Sequence, residues 1–404
     1  MVDFDEALTL VLSTVERLPF ANEALADALG CVLASDIVCL EDIPPFRRST
    51  MDGYAVRSWD FHGGAPELRV VEEIPAGRVP RRTLEVGQAS RIFTGGMMPK
   101  GADAVIIQEE AEPLGSGCVR FSSLPTPGQF VLGAGDIART GDVLIEQGEV
   151  LAPPGIALLA SVGITAVPAY PRPHAYVMST GDELVEPEVR PGPAQVRNSN
   201  APMLVGALQA AGVRVDYLGI ATDDRGSLRP MLEKGLGGDI LLVSGGVSVG
   251  THDLVGKELE GAGVEPVFTR VAVKPGKPIF FGRRGPCIVF GLPGNTASSL
   301  VGFELFVRPA LCKMRGLGDW PPKFLRGALA TSVEMKRDRL TFLPAVSINE
   351  RSGMVVRPLE WAGSADIRAL VHANCLVAIP PGESPVPGGA EVDFVTFQWV
   401  GYCA

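Results

Sequence analysis

Histidine and cysteine are scarce in this sequence. Four His (62, 174, 252 and 372) are scattered over 404 residues and form no ligand-like pair. That argues against histidine-based acid–base chemistry and a His-rich metal site. Seven Cys stand at 31, 39, 118, 287, 312, 375 and 403; the number is odd and no C-x-x-C occurs. A disulfide framework and a structural zinc site are both disfavoured, and reduced thiols of a cytoplasmic protein are expected. No run of Lys or Arg exceeds two residues and the net charge is −10, so a nucleic-acid-binding stripe is excluded. An anionic ligand must then be drawn by a few placed cations, backbone N–H groups and metal ions. No Ser–His–Asp arrangement, Walker A motif or G-x-G-x-x-G fingerprint is present. The opening Met1-Val-Asp-Phe-Asp-Glu is no signal peptide. One uncharged stretch, 150–170, is long enough for a membrane span. Pro153, Pro154, Gly155, Gly163 and Pro168 break it into a short helix and a strand, so no membrane partner is expected.

What is present points to several domains rich in turns. Apolar residues make up 46% of the chain, enough for real cores, while 48 Gly and 34 Pro favour short strands over long bundles. Phe4, Ala7, Leu8, Val11, Leu12 and Val15 recur at helical spacing over 3–17. A second helix is expected over 21–29, ending at Gly30. Residues 49–150 read as short strands between Gly/Pro turns, at 67–74, 90–92, 104–108 and 119–122. From about 172 the rhythm changes to strand-like 174–178, 213–220, 240–243 and 287–290, alternating with helix-like 200–211, 226–235 and 296–312. Such alternation predicts a mostly parallel sheet covered on both faces. Trp320-Pro-Pro reads as a linker, and 323–402 as a second small β domain, a candidate barrel.

In an open α/β sheet, ligands bind at the carboxyl ends of strands. Two loops at such ends are glycine-rich: Ser244, Gly245, Gly246, Ser248 and Gly250 after one strand, and Gly291-Leu-Pro293-Gly294-Asn295 before a helix. Either alone is a tight turn; two in one sheet suit a phosphate cradle built from backbone N–H groups. Asp182, Glu183, Asp223, Asp224 and Asp253 fall at the same edge. Carboxylates beside a phosphate would repel it unless Mg²⁺ bridges them. Lys274 and Lys277 stand three apart on a Pro/Gly-stiffened loop that suits a multiply charged anion. Asp52 before Gly53, and Thr94 before two glycines, are polar islands in β context that could equally be turn residues.

Together these segments resemble the molybdopterin molybdenumtransferase family, MoeA in bacteria and the E domain of gephyrin in animals. The matching stretches are 49–56 (STMDGYAV), 91–95 (RIFTG), 101–109 (GADAVIIQE), 135–137 (GDI), 179–184 (STGDEL), 196–200 (VRNSN), 244–250 (SGGVSVG) with Asp253, 274–278 (KPGKP), 291–295 (GLPGN) and 364–370 (SADIRAL). They run in family order over essentially the whole chain. The resemblance implies a multidomain α/β plus β architecture: an N-terminal helix (1–20), an extended linking domain (21–48 with 138–171), a β-rich domain (49–137), a MogA-like three-layer α/β/α domain (172–318) and a C-terminal β barrel (322–404).

The implied reaction inserts molybdate into adenylated molybdopterin with release of AMP, aided by Mg²⁺, in a cytoplasmic homodimer whose cleft combines two subunits. By matching motif, Asp52, Thr94, Glu183, Asp253, Lys274 and Lys277 are candidate catalytic residues. Asp136, Ser179, Thr180, Gly181, Ser244, Gly245, Gly246, Ser248, Gly250, Pro293, Gly294, Asn295 and Ser364 are candidates for substrate binding. Asp182, Glu183, Asp223, Asp224 and Asp253 are candidates for the metal. Two departures stand out: Thr296 follows GLPGN where the family usually has Pro, and Arg47-Arg-Ser-Thr precedes Met51. No adenylyltransferase-type domain accompanies the motifs, so the adenylation step is expected to need another protein. The alternatives are a tungstate-inserting paralogue, a catalytically idle copy and a gephyrin-like scaffold.

Overall fold

Ile240–Ser244 and Cys287–Leu292 carry no charge and are buried along their whole length, as central strands covered on both faces must be. The computed structural model, which describes residues 1–246, 254–317, 324–335, 337–351 and 353–397, places them at the middle of a six-stranded sheet. The strand order is Arg214–Ala221, His174–Thr180, Ile240–Ser244, Cys287–Leu292, Phe280–Arg284, Glu265–Phe268. The first four strands are parallel, as the alternating pattern predicts. Phe280–Arg284 runs antiparallel to both of its neighbours: it turns into Cys287–Leu292 through a tight hairpin at Gly285, whose φ is +57°, and it pairs with Glu265–Phe268 on its other side.

Successive side chains point to opposite faces, and the core divides accordingly. Val177, Ile240, Leu242 and Phe290 pack with Leu8, Leu204 and Leu300, from the helices Phe4–Thr14, Asn200–Ala210 and Thr296–Gly302. Met178, Leu241, Val243 and Val289 pack against the helices Arg225–Gly235 and Leu254–Gly261. This is a three-layer α/β/α domain. The helical run from Thr296 continues through a π segment, Phe303–Val307, into Arg308–Met314. The sequence pattern does not distinguish this widened turn from an ordinary helix.

Five C-terminal strands close on themselves. Leu340–Glu350 pairs with both Gly353–Pro358 and Cys375–Ile379, and Leu325–Leu329 and Glu391–Thr396 complete the ring. The barrel expected for this region is present. Val273–Lys274 adds in parallel to Leu340–Glu350. All of this belongs to one compact unit, residues 1–34, 148–152 and 168–404.

A second unit comprises 35–147 and 153–167. Its main sheet runs Ala104–Ile107, Gly53–Val56, Gln88–Ile92, Glu67–Ile74, Cys118–Phe121, Ala111–Leu114. Tyr54, Leu68, Ile106 and Phe121 fill one face, and Ala55, Ile74, Ile92 and Val105 the other. Outside the sheet, Ile37–Val38 pairs with Val143–Ile145 in an extended segment.

One expectation fails. Residues 21–29 are not helical: Ala21–Ala24 is an edge strand of a small three-stranded sheet, followed by a turn that ends at Gly30 with φ +76°. So short a segment gains little as a helix by itself, and pairing with a neighbouring strand wins. Among the described residues, no helix is long and apolar enough to cross a membrane. The Trp320-Pro-Pro linker and Cys403 lie outside the described residues.

Candidate functional site

The parallel strands end at Thr180, Ala221, Ser244 and Leu292, and the loops beyond them enclose a cleft of about 670 Å³. Thr180, Gly181, Glu183, Asp223, Ser244, Gly245, Gly246, Gly294 and Asn295 line it, so nine of the fifteen described α/β residues expected at the site meet there. The glycines are required by geometry. Gly245 has φ +88°, and a Cβ on it would sit 2.5 Å from the Thr180 carbonyl oxygen. Gly246 has φ +65°, and its Cβ would collide with the Thr180 hydroxyl and Val255. Gly245 N–H donates to the Leu292 carbonyl (3.0 Å), which ties the two glycine loops together. Ser179 lies one layer below the cleft, buried, donating to Asn198 Oδ1 at 3.2 Å. The Pro293 carbonyl accepts from the Ser299 hydroxyl. Asn295 Nδ2 donates to Ser364 Oγ (2.8 Å), which brings the loop before Arg368–His372 to the cleft rim.

Two residues that sequence reasoning did not single out hold this arrangement together. Asn200 begins a helix and is 6% exposed; its Nδ2 donates to Ser244 Oγ (2.7 Å) and to the Gly294 carbonyl (2.8 Å). A carbonyl partner fixes the amide orientation, which leaves Oδ1 as an acceptor. Asn198 bridges Ser179, the Ala201 amide and the Tyr217 hydroxyl. Both belong to the VRNSN stretch, and the signals for them were its match to the family and its position at the start of a helix. Asn200 Oδ1 and Thr180 Oγ1 are buried without a hydrogen-bond partner. Unpaired buried polar atoms are costly, and here both belong to residues lining the same cleft.

The acids separate into two groups. Glu183 and Asp223 line the cleft, and Asp182 Oδ1 accepts from the Asp223 amide at 3.0 Å. Burial first, then the charges of Asp182 and Glu183, push the Asp223 carboxyl above its ordinary range. Asp224 instead caps the helix Arg225–Gly235, accepting from Ser227 N–H (3.0 Å) and from the Thr222 hydroxyl; the hydroxyl bond first, then the amide bonds, hold its carboxyl low. Among the described residues, no three His, Cys, Asp or Glu side chains are grouped to hold an ion by themselves. Asp253, Ser248 and Gly250 lie outside the described residues.

Lys274 and Lys277 are not in the cleft wall among the described residues. Their loop nevertheless lies against the helix that follows Asn295: Gly276 has φ +105°, and a Cβ there would be 3.5 Å from the Ser298 carbonyl oxygen. Lys274 is half-buried and Lys277 exposed.

In the second unit, Asp52 and Thr94 meet although they stand 42 positions apart in sequence. Asp52 Oδ1 accepts from Thr94 N–H (2.7 Å) and from Thr94 Oγ1 (2.8 Å). These bonds, the amide's first, hold the Asp52 carboxyl below its ordinary range, with Arg91 adding a smaller charge contribution. Arg91 lies 4.8 Å over the Tyr54 ring and donates to Gln108 at 2.6 Å. Asp136 closes its own turn, accepting from Gly133 N–H at 2.6 Å. A depressed carboxyl contributes stability that is present above its unfolded pKa and lost as pH falls through the folded one. For Asp52 the window therefore lies below the ordinary aspartate pKa of 3.8. Thr94→Val keeps the amide bond and removes the hydroxyl's, so it is expected to raise the Asp52 pKa part of the way back. Carboxyl-carbon NMR titration reads this directly, and an unmoved pKa would mean the hydroxyl contributes nothing.

Comparison with known proteins agrees along the chain. Residues 2–163 match the MoeA N-terminal region (domain I and II), 176–313 the probable molybdopterin binding domain, and 326–397 the MoeA C-terminal region (domain IV). A molybdopterin molybdenumtransferase of Haemophilus influenzae is 34% identical, covering 98% of this chain and 99% of its own. Molybdopterin molybdenumtransferase 2 of Mycobacterium tuberculosis is 35% identical over 91% of this chain and 93% of its own. The crystal structure of a molybdopterin biosynthesis MoeA protein from Pyrococcus horikoshii superposes with a TM-score of 0.77 at 30% identity, covering 98% of this chain and all of that one. With its three matched regions in order and relatives aligned nearly end to end, the chain belongs to the molybdopterin molybdenumtransferase family, a family of transferases.

Proposed function

We propose that this protein inserts molybdate into adenylated molybdopterin and releases AMP. Family membership supports the coarser role, molybdenum cofactor biosynthesis with molybdopterin as substrate. The observation that carries the finer reading is the cleft itself: a glycine-built cradle beside crowded carboxylates, with an unpaired buried hydroxyl on Thr180 and an unpaired buried amide oxygen on Asn200. Backbone N–H groups of Gly246 and Gly294 are suited to phosphate oxygens. The Asp223 carboxyl is raised by burial first and then by the like charges of Asp182 and Glu183, and a bound cation would offset both.

That donor set fits Mg²⁺, a hard cation that binds through one or two carboxylates and takes its remaining ligands from phosphate and water. Glu183 and Asp223, which line the cleft, would hold it together with substrate oxygens, and Asp182 and Asp253 are further candidates. Bound there, the ion would neutralise charge on the pyrophosphate. A water oxygen bonds to the adenylyl phosphorus as one anhydride P–O bond breaks; AMP leaves with that phosphorus and the new oxygen, and the pterin keeps its own phosphate. Lys274 and Lys277 stabilise oxyanion charge, and the two dithiolene thiols replace one molybdate oxygen, which leaves with their protons as water and with no change in the metal's oxidation state. A second copy of the chain supplies Asp52 and Thr94, making the active species a homodimer. A separate adenylyltransferase delivers the adenylated pterin, and the setting is the cytoplasm.

Reconstitution tests this reading. Adenylated molybdopterin, molybdate and Mg²⁺ are expected to yield AMP and metallated pterin together. Stripping divalent ions is expected to slow AMP release by more than about tenfold. Undiminished release in excess chelator would remove the metal from the scheme, absence of AMP would remove the substrate assignment, and a fully active monomer in sedimentation would remove the shared cleft. Tungstate competing equally with molybdate would favour the alternative metal as cargo.

A further inference from the structure

Beside the polar cleft is a second hollow of about 590 Å³, and its character is opposite. Ser199, Thr296 and Ile367 line both, so the two spaces share a wall. Beyond that wall the lining is aliphatic apart from Gln209. Met203 and Gly206 come from the helix Asn200–Ala210, and Leu300 from the helix Thr296–Gly302. Val371, 62% exposed, forms part of the rim. At the junction the Ser199 and Thr296 hydroxyls are 2.9 Å apart and hydrogen-bonded. Thr296 is the residue that replaces the Pro expected after GLPGN, so this hydroxyl pair follows from a departure in this chain.

We infer that the hollow is a subsite for the planar heterocycle joined to the phosphate held next door, and that Gly206 and Thr296 help to determine which ring is accepted. The inference rests on the reading of the polar cleft as a phosphate site. A phosphorylated ligand whose charged end occupies that cleft must place its attached group in adjoining space, and apolar space selects a group with apolar faces. Ligand sites typically combine such a lining with a few convergent polar groups. Here the volume exceeds that of one bicyclic ring. The missing side chain at Gly206 leaves a shallow helix face, and the Met203 thioether suits contact with an aromatic edge. The Ser199–Thr296 pair offers donors and acceptors to ring heteroatoms.

Gly206 also provides a clean test. A Cβ built there meets nothing within 4 Å, so a larger side chain would project into the hollow without displacing its neighbours. Leucine is moreover a better helix former than glycine. Gly206→Leu is therefore expected to fold with unchanged or raised melting temperature. The full-length protein and this variant would be titrated calorimetrically with pyrophosphate, AMP and 6-hydroxymethyl-7,8-dihydropterin diphosphate. The expected result is that at least one ring-bearing probe weakens by about tenfold or more while pyrophosphate changes less than about twofold. Whichever probe weakens identifies the ring, purine or pterin. Val371→Asp, a change at an exposed rim position, is expected to act in the same direction and covers the case of a misfolded Gly206→Leu.

Unchanged binding of both ring-bearing probes to the folded variants would overturn the inference. So would a loss of oligomeric mass with ring binding intact, because a second copy of the chain would then be the occupant. If pyrophosphate fails to bind the parent while ring probes bind and respond to Gly206→Leu, the apolar subsite stands and the phosphate reading of the polar cleft fails.

Discussion

Glu304→Ala is expected to cost about 3–5 kcal/mol of stability, the range for removing one partner of a buried ion pair. Glu304 is 2% exposed and Arg308 8%, inside the helical run that packs beneath the sheet. Arg308 Nε donates to Glu304 Oε2 at 2.6 Å and Nη2 to Oε1 at 2.8 Å, a bidentate pair across the π segment. Burial works against the Arg308 charge, but Glu304's hydrogen bonds and charge outweigh it and the guanidinium pKa is raised. The Phe303 ring, 5.3 Å from the guanidinium carbon, is the other near partner. Without Glu304, a fixed positive charge remains in an apolar core and cannot neutralise itself. Glu304→Leu combined with Arg308→Met removes both charges and is expected to recover most of the loss, since well-packed apolar replacements of buried pairs are often neutral. Denaturant titration of the two single variants and the double variant gives the coupling directly. A single-variant loss below about 1 kcal/mol, the scale of an exposed pair, would show that water reaches the site.

The α/β core was legible because burial on both faces leaves an unmistakable mark: 240–244 and 287–292 contain no polar residue except Ser244. The cleft was legible for a related reason. Gly245 and Gly246 occupy positive φ against Thr180, and that steric demand is written as glycine in the sequence. Asp223 and Glu183 could likewise be placed at strand ends. Asp224 could not be told from its neighbour by residue type, although its position before Arg225–Gly235 also marks an N-cap. The Ala21–Ala24 strand was hidden because its partners are distant in sequence and its own residues favour helix. Asn200 was hidden because its role depends on Ser244 and Gly294, 44 and 94 positions away. The apolar hollow was hidden as well: Met203 and Leu300 read simply as core positions of two helices until the helices are set side by side.

Lys277→Ala is expected to lower the rate of AMP release by about a hundred- to a thousandfold with no change in melting temperature. The loop around Lys277 is held by its backbone. The Lys277 carbonyl accepts from Val271 N–H (3.0 Å) and Ile279 N–H (3.1 Å), and both of those side chains are fully buried. Gly276 at φ +105° lies against the first turn of the helix whose start lines the cleft. The Lys277 side chain itself is exposed, so truncation should disturb the fold by no more than about 0.5 kcal/mol, as at ordinary surface positions. A cation that meets charge developing in the transition state is worth far more, about 2.7–4 kcal/mol for one oxyanion donor. Lys274 differs: it is half-buried, pairs through its backbone with Thr341 of the barrel, and is among the charges that hold the Asp338 carboxyl low, after the Arg339 hydrogen bond. Lys274→Ala should therefore lose stability as well as rate. Lys277→Arg should restore only part of the rate, because a planar fork does not reproduce a compact ammonium. Melting temperature and AMP release measured side by side for the three variants separate these outcomes. If Lys277→Ala melts and turns over like the parent, the loop is a surface turn and oxyanion stabilisation must come from elsewhere in the cleft.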